Sequence, residues 1–147
     1  MINEIAQAIK TIGDTISEIQ VAYDPAPNEL ITADLPSLWV FTGNSSEALS
    51  DSADYSMLVR TMRIQVAVIP TAQGLPRERE TRCRPVLDAV ATAFRQHPHL
   101  GTDWVQSAEI IGDSGIVILP EYSGKFIGFE IQLEVLYYVQ RTYALNE

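Results

Sequence analysis

One cysteine and two histidines set the first limits. Cys83 stands alone, so no intrachain disulfide can form, and zinc arrangements built on CxxC or on four sulfurs are excluded. A lone thiol fits a reducing compartment. Basic residues are also scarce: 10 Lys and Arg stand against 19 Asp and Glu, for a formal net charge of -9. Repulsion from phosphates opposes the counterion release that drives nucleic-acid binding, which excludes duplex DNA as a tight ligand. No apolar run approaches the ~20 residues a membrane helix needs. The opening MINEIAQAIK carries acid early and mixes polar with apolar residues, unlike the basic-then-apolar order of a signal peptide. These absences predict a protein made in the cytoplasm, with no membrane partner.

Enzyme chemistry is short of parts as well. A nucleophilic triad needs a histidine, and His97 and His99 flank Pro98 where a helix should end; capping of the last carbonyls explains them. As a metal pair they lack an acidic or thiol third ligand, and Pro98 interrupts the strand that such a pair favours. GDSG at 112–115 matches the loop around a serine-protease nucleophile only to the eye, and between two strands it reads as a hairpin turn. Neither GxxxxGKS/T nor GxGxxG occurs. Glu130 and Glu134 would stand roughly 13 Å apart along one strand, too far for paired glycosidase carboxylates. Cys83 falls on the apolar stripe of its helix, where it acts as a small buried hydrophobe. No catalytic, cofactor-binding or metal-binding residue is expected, and the protein is not expected to be an enzyme.

What is present suits one folded domain over 1–147: 46% hydrophobic and 20% charged residues, with no repeat and no dividing linker. Ile2, Ile5, Ile9, Ile12, Ile16 and Ile19 recur at steps of three and four, which predicts an N-terminal helix with an isoleucine stripe. DPAPNEL follows as an extended connection, then a strand from about Ser37 to Thr42. The polar stretch 44–56, NSSEALSDSADYS, reads as an exposed loop. From Met57 the sequence alternates, with Leu58, Met62, Ile64, Val66 and Val68 on one side; Arg60 breaks that row, so the strand should leave the core there. A helix is expected from about Arg77 to Gln96, kinked or loosened near Pro85, with Cys83, Val86, Leu87, Val90, Ala91 and Phe94 as its apolar face. Strands are expected at 105–111 and 116–119.

The last strand alternates without a fault. Ile127, Phe129, Ile131, Leu133, Val135, Tyr137 and Val139 form one row, and Glu130, Gln132 and Glu134 stand on the other. The order helix, strands, helix, strands predicts an α/β (α+β) fold: a mostly antiparallel sheet with both helices packed on one face. Arg77, Arg79, Arg82 and Arg84 gather four of the ten basic residues. Interleaved with Glu78 and Glu80, they read either as a solvated helix entry or as a contact patch for an acidic neighbour.

Taken in order, the isoleucine-striped helix, LPSLWVF, MRIQVAVIP, RPVLDAVATAF and the closing YSGKFIGFEIQLEVLYYV resemble the tail terminator (tail completion) proteins of long-tailed bacteriophages. The likeness covers nearly the whole chain and lies in element order and local flavour. It implies a virion structural protein: a homo-hexameric ring at the head-proximal end of the tail, which ends growth of the tail tube and offers a surface for head joining. Its partners would be further copies of itself, the tail tube protein, and a head-tail connector or stopper protein, with DNA passing through unbound. Under that likeness, Glu130, Gln132 and Glu134 would face the channel. Arg77, Arg79, Arg82 and Arg84 would meet Glu47, Asp51 and Asp54 of the next subunit. Two other readings stay open: another neck protein, such as a stopper or a contractile-tail terminator, or a small ligand-binding α/β domain with a cavity between sheet and helices.

Overall fold

The computed structural model of the 147-residue chain describes residues 1–48 and 55–140. Its elements are α1 (Ile2–Asp14), β1 (Val21–Tyr23), β2 (Ser37–Ala48), β3 (Tyr55–Pro70), α2 (Pro76–Arg95), β4 (Val105–Asp113), β5 (Val117–Ile118) and β6 (Phe126–Gln140), with short 3-10 turns between several of them. The six strands form one sheet in the order β1-β2-β3-β6-β4, and β5 pairs with β6 beyond the end of β4. Among the described residues only the β1–β2 pairing is parallel. Both helices cover one face of it, as the alternation in β3 and β6 requires. Ile5, Ile9 and Ile12 of α1 and Val86, Val90 and Phe94 of α2 share a core with Met62, Ile64 and Val66 of β3 and with the β6 row from Ile127 to Tyr137. Each such side chain removed from water contributes about 1.5–3 kcal/mol.

α1 is shorter than its isoleucines suggest. The Thr15 hydroxyl donates to the Ile12 carbonyl at 2.6 Å, and the chain tightens into turns in which Ile16 N–H bonds Gly13 O and Ile19 N–H bonds Ile16 O. Ile16 and Ile19 are therefore off the helix yet still buried, because i→i+3 turns keep three-residue neighbours on one side. Ile2, at the free end, is exposed. α2 runs from Pro76, harmless at a first helical position, through Pro85 on its exposed face.

The stretch expected as a loop at 44–56 is in part strand. β2 continues to Ala48 and β3 begins at Tyr55, with the ladder shifting register between Thr42 and Ser45 and resuming from Ser45↔Arg60 to Ala48↔Met57. Side chains at 44–47 are exposed, so the backbone ladder alone holds this part and no alternation marks it. Arg60 interrupts the apolar row without ending the core, since Leu58 and Val139 beyond it still pack there; it donates to Gly43 O at 2.9 Å and to the Tyr137 hydroxyl at 3.2 Å.

GDSG is not a hairpin. β4 and β5 both run antiparallel to β6 along the same edge, from Val105↔Tyr137 to Asp113↔Ile131 and then from Val117↔Gly128 to Ile118↔Ile127. Ser114 N–H donates to Glu130 O, and the Ser114 hydroxyl accepts from Glu130 N–H, both at 2.9 Å. Gly115, at φ +69, lets the chain jog and resume the same direction.

Candidate functional site

The site is built on the sheet face away from the helices. β3 is 16 residues long and spans roughly 50 Å, whereas the 13 residues of α1 and the 20 of α2 span roughly 20 and 30 Å. The helices cannot cover such a sheet, and they cover only one side. The opposite face is not bare throughout. At the β1 end, Trp39, Ala67, Leu119 and Phe126 form a second buried cluster beneath Leu30, Leu35 and Tyr122. The Tyr122 hydroxyl donates to Pro27 O and fastens the segment between β1 and β2 over this end.

Beside that cluster lies a buried polar chain. Trp39, Gln65 and Glu130 occupy one register row across β2, β3 and β6. Trp39 Nε1 donates to Gln65 Oε1 at 3.0 Å, and Gln65 Nε2 donates to Glu130 Oε1 at 2.9 Å and to Glu121 Oε1 at 3.1 Å. Arg63 closes it, with Nη2 2.7 Å from Glu130 Oε1 and its guanidinium 5.7 Å from the Phe41 ring centre. Burial pushes the Glu130 carboxyl up, but hydrogen bonds from Gln65 and Arg63, together with the guanidinium charge, outweigh it and hold the group below its ordinary value. The charge of Glu130 is thus met inside the chain. Glu121 Oε2 is buried with no partner among the described residues.

Gln132 and Glu134, the other two residues expected on this face, are there and accessible to solvent. Sequence reading missed their neighbour. Glu109 of β4 stands directly opposite Glu134 in the ladder, on the same face, because Ala108 and Val135 beside them point into the core. A strand register could have shown it, but the bulges in β4 hide that register from a periodicity count.

The four arginines do share the first half of α2, in different states. Arg77 and Arg82 are exposed and without an ion pair among the described residues. Arg79 Nε donates to Gly74 O at 2.8 Å, and Arg84 pairs with Glu80 at 2.9 Å. Glu47 is exposed on β2 opposite Leu58, about 40 Å along β3 from Pro70, where the chain turns toward α2. Within one molecule the arginines and Glu47 are not brought together. Asp51 and Asp54 lie outside the described residues.

His97 Nδ1 is 2.8 Å from Ala93 O, and His99 Nδ1 is 3.1 Å from Val105 O. A carbonyl only accepts, so each Nδ1 carries its proton and holds chain at the end of α2. Among the described residues no three His, Cys, Asp or Glu side chains gather as metal ligands, and no helix is long and apolar enough to cross a membrane. Between helices and sheet the space is filled with apolar side chains; the two buried polar ones, Ser37 and Gln65, do not open into it. Ser37 is spent on Asp34 O, and Gln65 belongs to the other face. No protein-family model matches this sequence, and no curated protein matches it.

Proposed function

We propose that the protein is a ring-forming virion component that caps the head-proximal end of a phage tail tube, stops its growth and receives the head connector. One observation carries this reading: the sheet has helices on one face only, while β2 and β3 run on, paired with each other, to Ala48 and Tyr55. An antiparallel sheet with one wet face also serves proteins that act alone, so the strand ends that outrun the helices add to the argument. A protein that meets copies of itself and a tube keeps faces and edges open. The net charge of -9 suits a ring through which DNA slides without sticking, since an acidic chain repels phosphates. The apolar filling between helices and sheet leaves no room there for the cavity that the ligand-binding reading expects, which sets it behind this one.

The experiment is to add the purified protein to polymerising tail tubes and to image them by negative stain. The reading expects density at one end of each tube and an arrest of elongation. Tubes that grow undisturbed with bare ends would overturn it, and binding to the isolated head connector alone would move the protein to the head side of the neck.

A further inference from the structure

Three charges in this fold are badly placed for a single chain. Glu109 and Glu134 face each other across β4 and β6, and like charges directly opposite in a ladder repel. Neither has an ion pair among the described residues. Arg77 lies in the first turn of α2, where a cation meets the positive end of the helix dipole, and it too is exposed and without an ion pair among the described residues. Just before it Leu75 is 71% exposed and, as the residue capping α2, supplies no side-chain hydrogen bond. Beside the acid pair the same sheet face carries Leu136 opposite Val59, neither under a helix.

The acid pair and the arginine are each the remedy for the other. α2 lies on the far side of the sheet from Glu109 and Glu134, so one molecule cannot bring them together. We propose that the Leu75–Arg77 corner of one copy docks on the uncovered β4–β6 face of the next, with the Arg77 guanidinium between the carboxylates of Glu109 and Glu134 and Leu75 against Leu136 and Val59. The two surfaces differ, so the contact is heterologous and propagates around a ring. It rests on the ring reading for its closure, and it gives Glu134 a neighbouring subunit to face in place of a channel. Nucleic acid is a poor rival occupant, because the acid pair repels it.

The test needs no tails. Sedimentation of the purified chain should show reversible self-association. Arg77→Glu should weaken it about tenfold or more, as should Glu109→Lys with Glu134→Lys. Mixing these two variants should restore assembly, because the reversed corner now fits the reversed face. Arg82→Glu makes the same charge change on another flank of α2 and should leave assembly intact. Glu109→Gln with Glu134→Gln should weaken assembly while holding or raising the thermal midpoint of the monomer, which a merely structural role would lower. The proposal is overturned by a wild type that stays monomeric to millimolar concentration, by an equal loss from Arg82→Glu, by no rescue on mixing, or by unchanged assembly in the glutamine pair. If these results hold but tubes are not capped, the contact stands and the tail reading fails; capping without them leaves the tail reading and removes the contact.

Discussion

The Arg63 guanidinium reaches diagonally across the β3–β6 ladder to the Glu130 carboxylate at 2.7 Å, since Arg63 itself is opposite Gln132 and Glu130 opposite Gln65. The same carboxylate oxygen accepts from Gln65, whose carbonyl oxygen holds the Trp39 indole N–H. One ion pair therefore anchors a chain of four side chains over three strands.

Glu130→Gln removes the anion from that chain. At neutral pH it should lower unfolding free energy by about 1–3 kcal/mol, the usual cost of weakening a charge-assisted, partly buried hydrogen bond. The folded-state carboxyl is held below the ordinary value of 4.5. Its contribution is thus complete above that value and is lost as pH falls through the lowered one. Denaturant titrations of wild type and variant should differ at neutral pH and converge stepwise below 4.5. A constant gap across that range would show that the ionised form is not what stabilises.

Much of the helix side was legible because burial writes a period into sequence. Met62, Ile64 and Val66, and every second residue from Ile127 to Tyr137, had to be inside, and they are. The failures share a cause. Asn44 to Glu47 form strand with solvent on both faces, so only backbone pairing holds them and no alternation is written. Ser114 replaces a ladder partner with its hydroxyl, which turns an apparent hairpin into a jog in one edge. The cluster under Leu30, Leu35 and Tyr122 joins segments some ninety residues apart that have no period of their own. On the candidate face, Glu130, Gln132 and Glu134 were placed on the right side, but whether each charge is met depends on Arg63 and Glu109 across strands.

Gly128 tests how closely β3 and β6 approach. It lies opposite Ala67, next to the register shift between Ala67 and Ile69, and a Cβ there would collide with the Val66 carbonyl oxygen and carbon. Backbone cannot rotate away as a side chain can. Gly128→Ala should therefore cost about 1–3 kcal/mol or more, the range for overpacking in a core. Thermal denaturation should show it, and an unchanged midpoint would mean that the ladder can shift at this point.

Cys83 is fully buried on α2, and burial pushes its thiol up to about 11. At pH 8 only about one thousandth of it would be thiolate even if solvent reached it, and solvent does not. A disulfide reagent should label the folded protein far more slowly than the denatured chain, at a rate that rises with denaturant. Prompt labelling of one thiol per chain in buffer alone would contradict this packing. Cys83→Ser should keep the fold but cost stability, because the hydroxyl would need a partner that the apolar stripe does not supply.

Pro85 sits at the tenth position of α2 on the exposed side, opposite Cys83, Val86 and Val90. It has no amide hydrogen for the Thr81 carbonyl four residues back, and its ring crowds that carbonyl. An interior proline costs about 3 kcal/mol relative to alanine, offset in part by about 0.4–1 kcal/mol because proline also restrains the unfolded chain. Pro85→Ala removes no core contact and should raise stability by about 2 kcal/mol in urea titrations. If stability instead falls, the proline is setting the angle at which the arginine-bearing first half of α2 leaves the core. Self-association measured on the same variant then separates the outcomes: a more stable chain that assembles as before makes Pro85 a local defect, whereas a more stable chain that assembles poorly shows the proline aiming Arg77.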